Sequence, residues 1–428
     1  MKARTIRGFN DILPESVKRW HYIEDAARGV FERYGFSEIR TPVLEFTELF
    51  QRSIGAATDI VEKEMYTFDD RDGSSLTLRP EGTAGVVRAF IEHSMGRKSA
   101  VTKLYYMGTM YRHERPQKGR YRAFNQIGAE YLGSDEPYAD AETITMLWRF
   151  LEEIGLADAL TLELSSLGDG ESRAGYKDKL VDYFSAHVNE LCGDCTRRLE
   201  ENPLRILDCK KERCSALAEG APSILDNLSE ESRRHFEAVM GALDATGVPY
   251  TLNPRIVRGL DYYCKTVFEI TTAELGAQNA VAAGGRYDGL VEELGGKPTP
   301  AVGFAVGMER LILLLEKVSP EGFDRRPDAF IAYVGEEAKA KAYGLADELR
   351  RGGLFVELEY EGRSLKSQLK RADKLGAGYA VIIGEDELGR GIVKLRDMES
   401  GTEEDVAPDG LSARLGKGRG GRGGEKGG

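Results

Sequence analysis

The chain has 428 residues, and its 41% hydrophobic and 30% charged residues are ordinary proportions for a globular protein of two or three domains. Its longest aliphatic run, from Leu311 to Leu315, is far shorter than the ~20 residues that cross a bilayer, and its polar N-terminus lacks the apolar segment of a signal peptide. Five cysteines, an odd number, fit a reducing compartment. We therefore expect a cytoplasmic protein that is not embedded in a membrane.

The formal net charge is -12, from 59 lysines and arginines against 71 aspartates and glutamates. This balance argues against a protein whose whole surface binds nucleic acid. Binding requires only a local basic surface, however, so an acidic RNA-binding protein should group its cations in a few places. Three such places are present: residues 112–122, residues 364–375 and the Gly/Arg-rich stretch at the end of the chain.

In chain order, the first predicted element is an amphipathic helix, because apolar residues recur at helical spacing from Val17 to Tyr34 and Gly35 then ends the pattern. An extended segment, FSEIRTPVLEF, follows and is broken by Pro42. Residues 77–132 favour strands and turns, and residues 138–155 return to a helical pattern.

Residues 170–247 form a charged, mostly helical stretch that carries four of the five cysteines, and we interpret it as an insertion. Further along, the glycine-rich strand AVGFAVG leads into the helix MERLILLLEKV. After a linker at residues 319–328, the apolar runs DAFIAYV, GLFVELEY and YAVIIG alternate with helical patterns, which indicates a small α/β domain. The predicted organisation is an α+β domain at residues 1–325, an α/β domain at 326–415 and a disordered, low-complexity tail at 416–428.

The stretch with most chemical content is YYMGTMYRHERPQKGRYRAFNQIGAEYLG (105–133), which predicts two strands around a polar loop. Because side chains alternate along a strand, one face of the second strand is formed by Phe124, Gln126, Gly128 and Glu130 and is largely polar. The glycine there leaves room for a small ligand between an amide and a carboxylate. The loop adds five cations, opposed by Glu114 alone: Arg112, Arg115, Lys118, Arg120 and Arg122. From spacing alone, a solvated hairpin with a charged tip is an equally good interpretation.

A second candidate lies in LTLRPEGTAG (76–85), where Glu81 follows a strand and a proline in a turn that Gly82 can tighten. A carboxylate there could hold an ammonium group, although exposed glutamates in turns are common. In RGLDYY (258–263), Arg258 could bind phosphate oxygens in bidentate fashion and the tyrosines could orient a polar ligand. The alternative is an ordinary Arg–Asp pair at the start of a strand.

Two glycine-rich motifs follow. In AAGGRYDGL (282–290), the paired glycines indicate backbone that passes close to another part of the molecule. In GFAVGMERL, a strand turns into a helix at Gly307, and Arg310 falls in the first helical turn. Helix N-termini already favour anions, so an arginine there indicates a phosphate site rather than a correction of the helix dipole. The sequence has no Walker-type lysine loop.

The motifs TLRPEGT, YRHERPQKGRYRAFNQIGAE, RGLDYY, AGGRYDGL and GFAVGMERL, in this order, resemble the histidyl-tRNA synthetase family of class II aminoacyl-tRNA synthetases. RTPVLE, with Pro42, resembles the first motif of that class, which builds the dimer interface. GRSLKSQLKRADKLGAGYAVIIGEDEL resembles the family's anticodon-binding domain, and the match extends from about Gly8 to about Glu387. The resemblance implies a catalytic domain on an antiparallel sheet with a helical insertion, a C-terminal α/β anticodon-binding domain and a homodimer.

The resemblance also implies the activity and the residues. The family activates L-histidine with ATP and Mg2+ to histidyl-adenylate and pyrophosphate, and then transfers histidine to the 3' end of tRNA(His). The implied histidine-binding residues are Glu81, Gly82, Thr83, Gln126, Glu130, Tyr262 and Tyr263. The implied ATP-binding residues are Arg112, Arg120, Phe124, Arg258 and Arg310, with Arg112 and Arg258 as the catalytic pair at the α-phosphate.

For tRNA, the resemblance implies that residues 112–122 contact the acceptor end. Residues 364–375 predict a helix with lysines on one face, Lys366, Lys370 and Lys374, opposite Leu365, Leu369 and Ala372. A plain solvated helix face would give the same pattern. The Gly/Arg tail is either a loose electrostatic tether or inert.

Two cysteine pairs fall within the insertion, Cys192 with Cys195 and Cys209 with Cys214. They could form a four-thiolate zinc site, although the second pair is spaced more widely than the common two-residue gap. The family does not need zinc for catalysis, so no residue is assigned as a metal ligand and the zinc site stays open. Cys264, beside the tyrosines of RGLDYY, is interpreted as a packing residue.

Two other functions remain open from the sequence. The regulatory subunit of ATP phosphoribosyltransferase shares the catalytic fold, but it lacks the RGLDYY-type motif and the anticodon domain that this chain contains. A purely RNA-binding or kinase-regulatory module built on an inactive synthetase domain is the other possibility. The intact residues Glu81, Arg112, Arg258 and Arg310 argue against it.

Overall fold

The computed structural model describes residues 3–55, 58, 60–207, 209, 211–256, 262–276, 279–319, 323 and 326–422, with the backbone alone for 417–422. The chain divides into two compact units, Met1–Gly322 and Phe323–Gly428. The sequence predicts this division at residues 325/326. None of the helices in the described part of the chain combines the length and apolar character needed to cross a membrane.

The helices and strands of the first unit alternate irregularly along the chain. In order they are α1 Pro14–Arg33, β1 Ser37–Glu38, β2 Leu44–Phe46, α2 Thr47–Ile54, β3 Tyr66–Asp69, β4 Ser75–Leu78, α3 Thr83–Glu92, α4 Met95–Lys98, β5 Thr102–Tyr111, β6 Ala123–Leu132, α5 Pro137–Glu153, β7 Thr161–Ser166, α6 Gly170–Ala186, α7 Gly193–Glu201, α8 Glu212–Glu219, α9 Glu230–Thr246, β8 Thr251–Leu252, β9 Cys264–Thr271, β10 Ala280–Arg286, α10 Leu290–Glu293, β11 Ala301–Gly307 and α11 Met308–Val318.

An eight-stranded sheet organises this unit, in the order β1-β5-β6-β11-β10-β9-β7-β8. Strands β5, β6, β11, β10, β9 and β7 pair antiparallel with one another, and the edge strands β1 and β8 pair parallel with β5 and β7. Strands β2, β4 and β3 form a separate antiparallel sheet. The predicted α+β class with a large antiparallel sheet is therefore confirmed.

Helices α1 and α5 cover one face of the large sheet. The ring of Phe31 in α1 makes edge-to-face contacts with Tyr105 of β5, Phe150 of α5 and Phe304 of β11, at centroid distances of 5.6, 5.7 and 5.8 Å. Tyr105 pairs in register with Ala129, the neighbour of Glu130. Because successive side chains of a strand point to opposite faces, Glu130 lies on the face away from this aromatic core.

The first helix, the helix after residue 137 and the helix at MERLILLLEKV are confirmed as α1, α5 and α11. The prediction of strands and turns throughout residues 77–132 is wrong, because α3 and α4 lie within this stretch. Helix α3, TAGVVRAFIE, carries β-branched and aromatic residues that favour strands. Seven of its ten residues are buried, so it has no polar face to produce a helical pattern, and tertiary packing decides its structure.

The stretch predicted as an insertion contains α6 to α9. It connects β7 to β8, which lie side by side in parallel at one edge of the sheet, with Glu163 paired to Thr251. Helix α9 packs against α5. The insertion therefore joins neighbouring edge strands and leaves the central antiparallel pairs intact.

The second unit is a small α/β fold. Its elements are β12 Ala329–Tyr333, α12 Glu336–Arg351, β13 Val356–Leu358, α13 Leu365–Lys374, β14 Tyr379–Ile383, α14 Glu385–Arg390, β15 Val393–Asp397, β16 Glu403–Val406 and α15 Leu411–Arg422. Its sheet has the order β13-β12-β14-β15-β16. The three apolar runs are confirmed as the parallel strands β12, β13 and β14, whereas the sequence does not predict the antiparallel strands β15 and β16.

Residues 416–422 are helical, as the end of α15, where the sequence predicts a disordered tail. The helix starts from a fixed first turn, because Leu411 and Leu415 are buried in the core of this unit, and the helical backbone continues from there. Residues 423–428 lie outside the described residues.

A buried charged network joins α5, β10 and α9. The side chain of Arg286 is fully buried, and its Nε donates to Asp140 Oδ1 at 2.9 Å. His235 Nε2 lies 2.8 Å from the other carboxylate oxygen of Asp140. Burial alone would raise the pKa of Asp140, but the His235 hydrogen bond and the Arg286 charge hold it below its usual value. The network therefore fixes two covering helices to the middle of the sheet.

We expect Asp140→Ala to destabilise the first unit by about 3–5 kcal/mol, because it leaves the buried guanidinium of Arg286 without its main partner. The midpoint of urea unfolding, followed by circular dichroism, measures this. As a control, Asp25→Ala removes an exposed pair with Arg28 and should cost less than about 1 kcal/mol. Equal effects of the two substitutions would contradict the importance of the network.

Candidate active site

A cavity of about 380 Å³ opens on the polar face of the large sheet, a size typical of small-molecule sites. Ten of the twelve site residues assigned from the sequence line it: Glu81, Thr83, Arg112, Arg120, Phe124, Gln126, Glu130, Tyr262, Tyr263 and Arg310. Arg258 lies outside the described residues, and Gly82 is not among the residues that line the cavity.

Glu81 lies at the N-terminus of α3. Its two carboxylate oxygens accept hydrogen bonds from the backbone N–H groups of Thr83 and Ala84, at 2.6 and 2.8 Å. Burial raises the pKa of Glu81, although these N–H groups and the charge of Arg112 favour its ionised form. The carboxylate therefore both fixes the start of the helix and faces the cavity, and each oxygen retains acceptor capacity for a further donor.

Glu130, in the middle of β6, is fully buried. One of its oxygens accepts a hydrogen bond from Thr83 Oγ1 at 2.7 Å, and the other accepts from the Tyr287 hydroxyl. Burial raises the pKa of Glu130 to about 8, although both hydrogen bonds oppose that shift. A side chain at Gly303 of the neighbouring strand β11 would collide with this carboxyl group. The Glu130 carboxyl group therefore depends on a glycine beside it.

Three tyrosines surround this end of the cavity. The ring centroid of Tyr262 lies 4.7 Å from that of Tyr263 and 5.5 Å from that of Tyr287. Burial raises the pKa of Tyr262 and Tyr287 well above 10. Both hydroxyls therefore stay protonated and can donate hydrogen bonds to a polar ligand or to Glu130.

Three guanidinium groups lie close together in the same cavity. Arg112 Nε donates to the Pro80 carbonyl oxygen at 2.8 Å, and its guanidinium carbon lies 5.4 Å from the centroid of the Phe124 ring. Arg120 forms an ion pair with Glu114. Burial lowers the pKa of Arg310, and the charges of Arg120 and Arg112 lower it further. Like charges held this close indicate a site for an anion.

The prediction that Gly128 leaves room for a ligand is wrong. The space above Gly128 is taken by the ring of Tyr106, its cross-strand partner, and a side chain at Gly128 would collide with that ring. The same ring lies against Gly82. Both glycines therefore make room for a tyrosine of the protein rather than for a ligand, which also explains why Gly82 does not line the cavity.

Sequence reasoning missed Tyr287 and Glu269, which also line the cavity. Tyr287 stands in the motif AAGGRYDGL, directly after the buried Arg286. Like RGLDYY, this motif combines an arginine, an aspartate and a tyrosine after a glycine, and that similarity could have drawn attention to Tyr287. Glu269 belongs to an apolar strand, CKTVFEIT, where a lone carboxylate was the available indication.

Two polar residues of the hairpin region, His113 and Asn125, are outside the lining of the cavity. The His113 ring lies edge-on to Tyr66, with 5.5 Å between centroids. The Asn125 side chain accepts a hydrogen bond from Thr109 and donates one to Glu309, at 2.9 and 3.1 Å. Neither side chain is among the groups that line the cavity.

The raised pKa of Glu130 predicts a pH dependence of stability. The unfolded chain loses this proton near pH 4.5, whereas the folded chain keeps it up to about pH 8. The free energy of unfolding should therefore fall as pH rises between these values, because the folded state binds more protons. Glu130→Gln, which is neutral throughout, should remove this loss.

Thermal unfolding across this pH range tests the prediction. The native chain should lose Tm relative to Glu130→Gln from about pH 4.5 to about pH 8. The control, Glu48→Gln, changes an exposed glutamate of α2 and should follow the native curve. Parallel curves for the native chain and Glu130→Gln would contradict the buried, protonated state.

Comparisons with known proteins agree with this geometry. The profile of the histidyl-tRNA synthetase family matches residues 8–311, and that of the anticodon-binding domain matches residues 328–417. The histidine–tRNA ligase of Syntrophotalea carbinolica is 51% identical over 417 residues, which cover 97% of this chain and 98% of the relative.

Among solved structures, apo histidyl-tRNA synthetase of S. aureus is 39% identical with a TM-score of 0.81, covering 97% of this chain and all 100% of that one. A structure described as an ATP phosphoribosyltransferase regulatory subunit/histidyl-tRNA synthetase from Bacillus halodurans shares the fold, at 21% identity and a TM-score of 0.64, with 89% and 97% of the two chains covered. By the extent and identity of these matches, the chain belongs to the histidyl-tRNA synthetase family.

Proposed function

We propose that the cavity activates L-histidine with ATP, and that the chain then transfers histidine to the 3' end of tRNA(His). One observation carries the proposal. A single cavity joins a buried carboxyl group surrounded by tyrosine hydroxyls to three converging guanidinium groups. The first set suits an imidazole, and the second suits a triphosphate.

At the carboxyl end, an imidazole N–H donates to Glu130, and the tyrosine hydroxyls pair with the remaining ring atoms. Thr83 and Tyr287 already hold the Glu130 oxygens in place, at 2.7 Å in the case of Thr83. Other amino acids would leave these buried groups without partners, which is heavily penalised. Glu81, Thr83 and Gln126 accept the α-ammonium group, and Gly82 supports them by packing on Tyr106.

At the guanidinium end, the triphosphate lies among Arg112, Arg120 and Arg310, and adenine stacks on Phe124. The histidine carboxylate attacks the α-phosphorus, and the bond from that phosphorus to the oxygen bridging the β-phosphate breaks. Pyrophosphate leaves with the electron pair. The attacking group is already ionised, so the step needs alignment and charge neutralisation instead of a general base. Arg258, outside the described residues, is proposed to share the α-phosphate with Arg112.

Two carboxylates of the cavity, Glu269 and Glu309, are proposed to hold the Mg2+ that accompanies ATP. Both side chains line the cavity. The charge of Glu269 raises the pKa of Arg310 and so partly counteracts the lowering caused by burial and by Arg120 and Arg112. Carboxylate and phosphate oxygens are the ligands that Mg2+ prefers, so these residues fit the ion. Bound there, Mg2+ would neutralise negative charge on the phosphates.

Two surfaces are proposed to hold tRNA. The loop between β5 and β6 presents Arg115 and Lys118 to solvent beside the cavity, which suits the acceptor end. In the second unit, Lys366, Lys370 and Lys374 are exposed on α13, while Ala372 packs inward. This arrangement suits contact with phosphates of the anticodon arm. The side chains of the Gly/Arg-rich stretch, residues 417–428, lie outside the described part of the chain.

A homodimer is proposed through the small sheet. Phe46 of β2 and Phe68 of β3 both pair with Leu76 of β4, so the three side chains form one row across the sheet. Phe46 is 64% exposed and Phe68 is 46% exposed. An exposed aromatic row of this kind is typical of a protein interface. A cytoplasmic location is also proposed, because none of the five cysteines, all of which are described, forms a disulfide.

Histidine-dependent exchange between ATP and pyrophosphate tests the proposed activity. We expect exchange in the native chain and a loss of about 100- to 1,000-fold in Arg112→Met, because a charge partner of the α-phosphate is removed. Arg258→Ala should behave similarly. The control Arg71→Met changes an exposed arginine in the turn between β3 and β4 and should keep the native rate. A native chain without exchange would favour a regulatory or purely RNA-binding role.

Aminoacylation of tRNA tests the lysine face of α13. Lys366→Ala/Lys370→Ala should raise KM for tRNA, and the slope of log KM against log salt should fall by about one for each phosphate that is no longer neutralised. Pyrophosphate exchange, which involves no tRNA, should not change. The control Lys341→Ala/Arg351→Ala removes two exposed cations from α12. If both double variants raise KM equally, the effect is one of net charge and the proposed face is wrong.

Sedimentation of purified protein tests the homodimer. Phe46→Glu should shift the chain from dimer towards monomer, because burying a Phe side chain is worth about 1.5–3 kcal/mol per subunit and a charge replaces it. The control Tyr138→Glu alters an aromatic residue of α5 that is 67% exposed and should leave the dimer intact. A monomeric native chain would contradict the proposal.

A further inference from the structure

Four cysteines converge in the helical insertion, away from the cavity. Cys192 precedes α7 and Cys195 lies in its first turn, Cys209 follows the short helical turn Pro203–Ile206, and Cys214 lies in the first turn of α8. Their Sγ atoms all lie within 4.8 Å of one another, and those of Cys192 and Cys209 are 4.0 Å apart. None of the four is among the residues that line the cavity.

The distances between the sulfurs suit a single metal ion. Four thiolates bound at ~2.3 Å around a tetrahedral zinc lie about 3.8 Å from one another, which is slightly closer than the spacing here. A disulfide would require a separation of about 2.0 Å, and all five cysteines are free. An iron–sulfur cluster with four irons attaches each cysteine to a different iron and spreads the sulfurs further apart.

Backbone groups around the sulfurs favour their negative charge. The backbone N–H of Cys192 donates to Cys214 Sγ at 3.3 Å. Cys195 and Cys214 both lie in the first turn of a helix, where the helix dipole stabilises an anion. Cys195, Cys209 and Cys214 are only 0%, 8% and 1% exposed. Four thiolates packed this closely and largely out of water would need a cation among them.

The surrounding helices have little else to hold them. In α7, Cys195 is the buried residue, and α8 buries Cys214 and Ala218. The other residues of both helices are mostly charged or polar. Such segments bury too little apolar surface to fix their own arrangement, and small folds of this kind commonly rely on a metal.

We propose that Cys192, Cys195, Cys209 and Cys214 bind one Zn2+ as four thiolates and that the metal fastens α7 to α8. Each thiol that is still protonated releases its proton on binding. Zinc fits because thiolates select soft ions and because four protein ligands complete a tetrahedron. No position is left for a substrate, so the site is structural. The proposal is independent of the proposed reaction.

Metal analysis of the full chain, purified without added zinc or chelator, tests the proposal. We expect about one Zn2+ per chain in the native protein and its loss in Cys195→Ser and in Cys214→Ser. The control is Cys264→Ser, which removes the fifth thiol. That thiol lies in β9 and accepts the Asp288 backbone N–H at 3.5 Å, and its removal should leave the zinc in place.

A second measurement uses the native protein alone, so it does not depend on variants that fold. A mercurial reagent should release zinc in step with its reaction with the clustered thiols, and Co2+ exchanged into the site should show the visible absorption of a tetrahedral thiolate complex. The proposal is overturned if the native chain contains no zinc and its reduced form takes up neither Zn2+ nor Co2+. It is equally overturned if iron with sulfide, or two disulfides, accounts for the four cysteines.

Discussion

The site depends on one constraint, the burial of a carboxyl group in the middle of an antiparallel sheet. Glu130 has no access to water, so its oxygens must find partners in the protein. Thr83 and Tyr287 supply them, and these two residues come from segments on either side of β6 in the chain. Gly303 supplies the space. Four separate motifs of the sequence are therefore tied together by the requirements of one side chain.

A second buried carboxylate, Glu81, connects this arrangement to the start of α3. Glu81 fixes the first turn of that helix through two backbone N–H groups, and this places Thr83 where its hydroxyl reaches Glu130. On the other side, Arg286 next to Tyr287 is anchored by Asp140 of α5. The Glu130 carboxyl group, which lines the cavity, is therefore supported by two further buried carboxylates, each with its own donors. Rigidity of this kind preserves a polar pocket without ligand present.

Much of this arrangement follows from the sequence, because motifs keep their local periodicity. Alternation along β6 correctly brings Phe124, Gln126 and Glu130 to one face, and ten of twelve assigned residues share the cavity. What the sequence could not supply is the identity of neighbours across strands. The ring that fills the space over Gly128 belongs to Tyr106, and it is known only once the register of β5 and β6 is known.

Helix α3 was missed for a related reason. Its residues are buried on most sides, so the pattern that distinguishes a surface helix is absent and strand-like composition misleads. Tyr287, just after β10, donates a hydrogen bond to Glu130, and this contact also depends on how the strands pair across the sheet. The role of some residues is set by contacts with distant parts of the chain. Gln368, for example, donates a hydrogen bond to the backbone carbonyl oxygen of Tyr333 at 2.7 Å, and nothing in the sequence around it predicts this contact.

The parallel pairing of β7 with β8 has a consequence for how this architecture can vary. Two adjacent parallel strands cannot be joined by a tight turn, and a crossover of at least a dozen or so residues is obligatory. Helices α6 to α9 are that crossover, enlarged. The geometry of parallel pairing sets a minimum length for this connection. Residues beyond that minimum can vary in number and can acquire new ligands. A related chain can therefore have a different segment in place of α6 to α9, while the hydrogen-bonded pairs of the six antiparallel strands keep their register.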